Sequence, residues 1–351
     1  MADTLRSIVG PEPVAALESL SFQVQDVFNR FRYQVSSQPE ITFADSPAPS
    51  VSTAPGVVAT PRASTALIGL PPANPGPAQY FTAVTAPSNI DAGWQAFGPT
   101  ASNGNPIMAR AVVQPDPTRV YAQAALVRID LSLINLNLVP GSVEPVAAKG
   151  VKPFPRPGII PADQQTTDNL IAAFNGGFKA IHGKFGMMVK GITILPPQDN
   201  LATIGIYSDG SVKMGAWGRD ITNTPDLIAY RQNCPLLVDE GQINPHVTDE
   251  NRQEWGYTVK NLDTTWRSGL GISQDGRFLI YAAGNSLTVQ TLANALQQGG
   301  AYYAMQLDIN SFYTRFVTYQ AAPDPKASGY PLVANKLLNQ MSGDPALFLH
   351  P

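Results

Sequence analysis

Asp308 and Asn310 are the residues whose types and position best suit chemistry. They directly follow Tyr302–Leu307 (YYAMQL), an apolar run that predicts a buried strand. A carboxylate at the end of a strand can act as a base or a nucleophile, or stabilise positive charge in a transition state. An amide beside it can orient a polar ligand. The alternative is that Asp308 is a buried carboxylate with a structural task.

A strand–helix–strand unit is expected to position these two side chains. Arg277–Ala283 (RFLIYAA) predicts the first strand, Ser286 or Thr288 can cap the helix, and Gly299-Gly300 ends it. Such a βαβ unit predicts parallel strands joined by a right-handed crossover. Open α/β sheets bind their ligands at the carboxyl ends of the strands, which is where the unit places Asp308.

A second candidate segment is Asn175-Gly176-Gly177-Phe178, which follows an apolar run. Two glycines in this place indicate a positive φ or a close approach of the backbone to a ligand. The Asn175 amide can hold a sugar hydroxyl or a phosphate oxygen, or it can cap the turn. His182 lies in the same loop, where it is either a surface histidine or an acid, base or phosphate ligand.

These segments and a third one resemble the motifs of the phosphodiester glycosidase family. Members of that family carry an Asn-Gly-Gly-Phe motif, an Arg before a glycine-rich strand, and a strand that ends in Leu-Asp-Gly-Gly-Gly-Ser. This chain has, in the same order, Asn175-Gly176-Gly177-Phe178, Arg267-Ser268-Gly269-Leu270-Gly271 and Leu307-Asp308-Ile309-Asn310-Ser311. The resemblance covers residues 120–319. Ile309-Asn310 replaces the family's glycines, which is similar to a bacterial subgroup.

The resemblance implies hydrolysis of a glycosidic bond to a phosphodiester, with a glycan or a sugar phosphate as the substrate. Asp308 is then the catalytic carboxylate, Arg267 holds the phosphate through its planar guanidinium, and His182 assists. The residues expected to bind the substrate are Asn175, Gly176, Gly177, Asn310, Arg231 and Asn233. The last two precede a buried run, where they serve either a binding pocket or the anchoring of a loop.

A second class of function fits the same residues. Loss of the family's glycines after Asp308 favours a non-catalytic glycan-binding or scaffold module of the cell envelope or of an exopolysaccharide system. An enzyme requires Asn175, Arg267 and Asp308 to converge in one cleft, and the binding module does not.

The composition of the chain limits the classes of function and location that remain. The 351 residues are 44% hydrophobic and 14% charged with a net charge of −3, so we expect no basic surface for nucleic acid. No stretch is apolar enough to predict a membrane-spanning helix. Few charges and 32 prolines favour an extracytoplasmic bacterial protein, secreted or tethered to the surface. No cofactor is required, although Asp308, Asn310 and backbone carbonyls offer oxygen ligands to Ca²⁺.

The chain is expected to divide into three parts. An amphipathic helix occupies residues 1–38, a Pro-rich linker or strap residues 39–117, and a phosphodiester glycosidase-like domain residues 118–351. We expect that domain to be α+β or α/β, with a mixed β-sheet core around the βαβ unit. The helix itself is predicted over Glu12–Val35. Its apolar residues recur every three or four positions, which predicts an oligomerisation seam, a membrane-proximal tether, or a face docked on the domain.

Overall fold

The computed structural model describes residues 11–36, 41–44, 93–248, 254–256, 264–325, 331–342 and 344–349. Residues 45–92, the larger part of the predicted Pro-rich strap, lie outside these ranges, so that prediction is untested there.

β-Strands dominate the described part of the chain, and they form three sheets. In chain order the strands are β1 Gln95–Thr100, β2 Pro106–Val113, β3 Ala124–Asp130, β4 Ala172–Phe174, β5 Met187–Val189, β6 Ile192–Leu195, β7 Ala202–Tyr207, β8 Val212–Ala216, β9 Leu227–Gln232, β10 Val238–Asp239, β11 Gln242–Ile243, β12 Thr265–Ile272, β13 Phe278–Leu287, β14 Tyr303–Gln306, β15 Phe316–Ala321 and β16 Leu332–Lys336. The two helices are α1 Pro11–Ser36 and α2 Val289–Gln298.

The large sheet has eight strands in the order β1-β2-β3-β13-β12-β14-β10-β11. A second sheet has five strands in the order β6-β5-β9-β7-β8, and a third has three in the order β16-β15-β4. Every ladder between these named strands is antiparallel. The structure is mostly β-sheet with few helices, so the α+β alternative is only loosely consistent with it, and the mixed sheet that we predicted is wrong for these named strands.

The predicted strand–helix–strand unit is present, but another strand divides it. β13, α2 and β14 follow one another, and Thr288 caps the helix, exchanging hydrogen bonds with Thr291 in a capping box. β13 and β14 run in the same direction because each pairs antiparallel with β12, which lies between them. The reason is the tight turn at Asp275-Gly276, which folds β12 directly back onto β13 and leaves only the far edge of β12 for β14.

The large sheet is buried on both faces. On one face Leu126 and Ile280 pack with α2, and on the other Leu279 and Tyr281 pack in the same core as Ile204 of the five-stranded sheet. The strands that carry the candidate residues are therefore fixed from both sides.

Two glycines of the Arg267 motif are explained by this packing. A Cβ on Gly269 would lie 2.7 Å from the Leu296 Cδ1 of α2, and a Cβ on Gly271 would lie 2.5 Å from the Ala301 Cβ. Real Cβ atoms do not approach other atoms so closely, so glycine at these two positions lets α2 and the segment that follows it pack against β12.

The N-terminal region contributes two strands to the large sheet. Residues 95–113, which we assigned to the strap, form β1 and β2, so the sheet begins upstream of the predicted domain boundary at residue 118. Helix α1 has the bounds that the sequence predicted to within one residue.

Neither helix of the described residues is long and apolar enough to cross a membrane.

Candidate functional site

The Asn175 and Asp308 motifs meet at one end of β12. The Asn175 Nδ2 donates to the Ser268 Oγ at 2.9 Å, and that hydroxyl donates to the backbone carbonyl of Asp308 at 2.8 Å. The Asp308 N–H in turn donates to the Gly176 carbonyl at 3.1 Å. All three motifs therefore contribute to one continuous hydrogen-bond network.

Asn175 is an anchor inside this network. Its side chain is 7% exposed, and its Oδ1 accepts hydrogen bonds from the Tyr281 hydroxyl and the Arg315 N–H, each at 3.0 Å. Burial raises the pKa of Tyr281 well above its usual range, and the nearby Asp308 charge adds to that effect, so the phenol stays a neutral donor. The geometry matches the turn-capping alternative for Asn175.

Arg267 lies in the interior, fully buried beside α2. Its Nε donates to the Leu287 carbonyl at 3.1 Å, and its Nη1 donates to the Trp255 carbonyl at 3.3 Å and the Gln306 Oε1 at 2.9 Å. Binding of a phosphate, as predicted for Arg267, requires an exposed guanidinium. The guanidinium of Arg267 instead donates its hydrogen bonds to protein acceptors. The structure corrects that prediction: Arg267 ties β12 to its neighbours.

Arg231 and Asn233 hold the turn of the Asn-Gly-Gly-Phe motif. The Arg231 Nη2 donates to the Phe178 carbonyl at 2.6 Å, and the Phe178 N–H donates to the Asn233 Oδ1 at 3.2 Å. Burial lowers the pKa of Arg231 to about 10, against the opposing effect of negative groups that include Asp308. Both side chains are buried and hold this turn, in agreement with the loop-anchoring alternative, and Arg231 also borders the cavity described below.

The two motif glycines differ in their surroundings. A Cβ on Gly177 would lie 3.0 Å from the Asn233 side chain, whereas a Cβ on Gly176 would meet no atom within 4 Å. Gly177 is needed for packing, and Gly176 faces open space beside Asp308.

The segment from Asp308 to Tyr313, which we call the rim loop, carries the accessible groups. Asp308 is half-buried, and its Oδ1 accepts from the Asn310 N–H at 2.7 Å. Asn310 is exposed, and its Oδ1 accepts from the Phe312 N–H at 2.9 Å. Phe312 is 52% exposed and Tyr313 is 40% exposed, with their rings edge to face at 5.4 Å. Two successive Asx turns thus present a carboxylate, an amide and two aromatic rings together.

The segment after Phe178 borders the rim loop. The Lys179 ammonium lies 5.4 Å from the centre of the Tyr313 ring, which is a cation–π distance. His182 ends a short 3₁₀ helix, Ala180–His182, and its ring meets Phe178 edge to face at 6.1 Å. His182 is half-buried, and its chemical role stays a prediction.

A cavity of about 820 Å³ opens beside these segments. Its lining is largely apolar, and it reaches Gly176, Lys179 and Arg231 together with Glu144. The Glu144 Oε2 accepts from the Ala180 N–H at 3.1 Å. Asp308 and the rest of the rim loop do not line this cavity, which borders their neighbourhood through Gly176 and Lys179.

Reasoning from the sequence missed several of these groups. Lys179 follows the Asn-Gly-Gly-Phe motif directly, so its position was a usable signal. Ser268 lies next to the recognised Arg267, and alternation along a strand places it on the opposite face. Glu144 sits in a Pro-rich loop far from every motif, and nothing local marks it. Among the described residues no group of three or more His, Cys, Asp and Glu side chains could hold a metal ion.

The chain has a partial match to a family model and distant likenesses to solved structures. No curated protein sequence matches this chain. Among solved structures, the zebrafish N-acetylglucosamine-1-phosphodiester alpha-N-acetylglucosaminidase catalytic domain, auto-inhibited by its pro-peptide, is 13% identical, with a TM-score of 0.42 over 70% of this chain and 87% of that one. A hypothetical protein from Synechocystis is 14% identical, with a TM-score of 0.35 over 65% of this chain and 61% of that one. A putative exported protein from Burkholderia pseudomallei is 11% identical, with a TM-score of 0.31 over 62% and 74%. Residues 168–316, which hold all three motifs, match the model of the phosphodiester glycosidase family, and the resemblance predicted from those motifs is confirmed over this segment.

Proposed function

We propose that this protein is a hydrolase that cleaves the glycosidic bond of a sugar-1-phosphodiester in envelope or extracellular glycans. The observation that carries the proposal is the half-buried Asp308 carboxylate, which the motif network holds beside the open space at Gly176. The family match over residues 168–316 supports a glycosidase-like activity.

Asp308 supplies the central chemistry of this proposal. A carboxylate next to the anomeric carbon either attacks it, activates a water, or stabilises an oxocarbenium-like transition state. Phe312 and Tyr313 offer apolar ring faces on which a sugar can stack. Asn310 orients hydroxyl groups, and His182 assists proton transfer.

In this proposal Lys179 binds the phosphate group, the role that the sequence predicted for Arg267. A phosphodiester carries a negative charge, and Lys179 is a half-buried cation beside the rim loop. Lys179→Gln should raise KM for the phosphodiester about tenfold, whereas Lys213→Gln, in the five-stranded sheet, should not change it.

Glu144 is a second carboxylate of the same neighbourhood, and glycosidases commonly use two. Glu144→Gln keeps an acceptor for the Ala180 N–H and removes only the charge. A loss of release by this variant, rescued with a substrate that has a better leaving group, would assign Glu144 as the acid.

The deciding experiment is a release assay on a panel of sugar-1-phosphodiesters. Asp308→Asn keeps the oxygen that accepts from Asn310 and removes the charge, so release should fall by about 10²–10⁴-fold in a folded protein. Asp275→Asn is the matched control, because Asp275 makes the same kind of turn at the opposite end of β12 and should keep full release. Equal release by wild type and Asp308→Asn would sink the proposal.

The same assay with and without a chelator tests Ca²⁺. Asp308 and Asn310 each already use one oxygen in a turn, so few ligands remain for a cation. We expect release to be unchanged, and a loss on chelation would place Ca²⁺ in the site.

A non-catalytic glycan-binding or scaffold module is the second candidate. The interior position of Arg267 and the Ile309-Asn310 pair in place of glycines favour it. No release from any substrate, together with binding on a glycan array that Phe312→Ala weakens, would support this candidate. Both candidates fit an extracytoplasmic bacterial protein of an exopolysaccharide system, which detection of the native protein outside the cytoplasm would test.

A further inference from the structure

Among the side chains of helix α1 that the structure describes, Asp26, Asn29 and Arg30 lie at the contact with the rest of the protein. Asn29 is 7% exposed, and its Nδ2 donates to the Ser286 Oγ at 3.4 Å. Asp26 lies 3.9 Å from the Arg119 guanidinium and accepts from the Arg30 Nε at 2.9 Å. The Arg30 guanidinium lies 5.9 Å from the centre of the Tyr121 ring. These contacts decide which face of the helix points outward.

The opposite face of α1 is apolar and exposed. Seven large apolar side chains among those that the structure describes on this helix are 59–71% exposed, and they are Leu17, Leu20, Val24, Val27, Phe28, Phe31 and Val35. Monomeric proteins rarely leave so many large apolar side chains together in water, and such a patch marks an interaction surface.

The spacing of this stripe is that of a coiled-coil seam. Leu17, Val24 and Phe31 recur every seven residues, as do Leu20 and Val27, which gives consecutive a and d positions. A strict seven-residue repeat keeps the seam facing a partner helix, whereas contact with a flat surface needs only the natural period of about 3.6. Asp26, Asn29 and Arg30 fall at the c, f and g positions, so the domain occupies the back of the helix and leaves the seam open.

Charge and area favour a second copy of this chain over a lipid surface. Helices that lie on membranes are rich in Lys and Arg, and the sequence of α1 has two Arg and no Lys against Glu12, Glu18 and Asp26. The side chains of the stripe are each 59–71% exposed, which is apolar area that pairing of two such helices would bury. We propose that α1 pairs with the α1 of a second copy through the seam of Leu17, Leu20, Val24, Val27 and Phe31.

A cysteine cross-link tests this pairing in the full chain. The native Cys234 is fully buried, so a cysteine introduced on α1 is the reactive thiol of the variant. Val24→Cys should give a covalent dimer on mild oxidation, and Arg32→Cys, an exposed b position, should give little. Light scattering should show a dimer for the wild type and a monomer for Leu20→Glu/Val27→Glu with unchanged circular dichroism.

Three results would overturn the proposal. A monomeric wild type without a Val24→Cys cross-link excludes the dimer. Sedimentation of that monomer with phosphatidylglycerol vesicles, abolished in the double variant, assigns the seam to a membrane. Protection of Val24→Cys from maleimide in a monomer, lost when residues 45–92 are deleted, assigns the seam to that segment of the same chain.

Discussion

The buried anchors of the site and the rim loop lie side by side, yet they differ in almost every physical respect. Asn175, Arg231 and Arg267 are 7% exposed or less, and protein atoms bind their polar groups. Asn310, Phe312 and Tyr313 face solvent. The residues that make the family recognisable in the sequence are mainly those that hold the backbone, and the groups that can touch a ligand lie beside them.

This difference separates two experimental signatures. Substitution of an anchor should reduce the free energy of unfolding, and activity should fall only because folded protein is lost. Substitution in the rim loop should leave the free energy of unfolding unchanged and alter ligand handling.

Arg267→Met is expected to have the largest effect on stability. It takes the guanidinium donor away from the Gln306 Oε1 and the Leu287 carbonyl, while the Trp255 carbonyl keeps the Gln306 Nε2 at 2.6 Å, so the free energy of unfolding should fall by about 3–5 kcal/mol in urea titration. Arg219→Met is the control, because Arg219 pairs with Asp220 and Asp239 at the surface and should cost no more than about 1 kcal/mol. Equal costs for the two variants would break the distinction between anchors and surface groups.

Asn175→Ala comes next. It removes the acceptor of the Tyr281 hydroxyl and the Arg315 N–H, and the partner of Ser268, for a cost of about 2–3 kcal/mol by the same titration. Asn310→Ala removes the same side chain from the exposed rim loop and should cost less than about 1 kcal/mol.

The two motif glycines give the sharpest matched pair. Gly177→Ala forces a Cβ to 3.0 Å from the Asn233 side chain and should lower the free energy of unfolding by about 1–2 kcal/mol. Gly176→Ala meets open space and should change it by less than about 0.5 kcal/mol, because its φ is not in the positive region. A methyl group there enters the proposed substrate space, so release should fall although the protein is stable. Full release by Gly176→Ala would place the substrate elsewhere.

Phe312→Ala should have the smallest effect on stability, within about 0.5 kcal/mol. Loss of a stacking surface worth about 1 kcal/mol should raise KM about fivefold with kcat nearly constant. A fall in kcat with unchanged KM would contradict a role in ground-state sugar binding.

Local patterns in the sequence predicted local structure well. A helix cap at Ser286 or Thr288, the end of α2 at Gly299-Gly300, and the apolar runs of β13 and β14 depend on interactions between near neighbours, and the structure has them, with Thr288 as the cap. β12 lies between β13 and β14 because β12 and β13 form a hairpin. The sequence analysis did not take into account that this hairpin separates the two strands of the βαβ unit. The role of Arg267 was predicted wrongly because its acceptors include backbone carbonyls of segments that are remote in the chain. No residue type near Arg267 in the sequence indicates those carbonyls.

The order of strands in the large sheet also bears on how the chain is made. β3 pairs with β13, and the whole five-stranded sheet lies between them in the chain. On a ribosome the five-stranded sheet is complete once residue 232 has emerged, whereas β3 keeps an open hydrogen-bonding edge until residues 278–283 follow. Open edges of apolar strands recruit other chains. A fragment that stops before residue 278 should therefore collect in the insoluble fraction of the expressing cell, while the full chain stays in the supernatant.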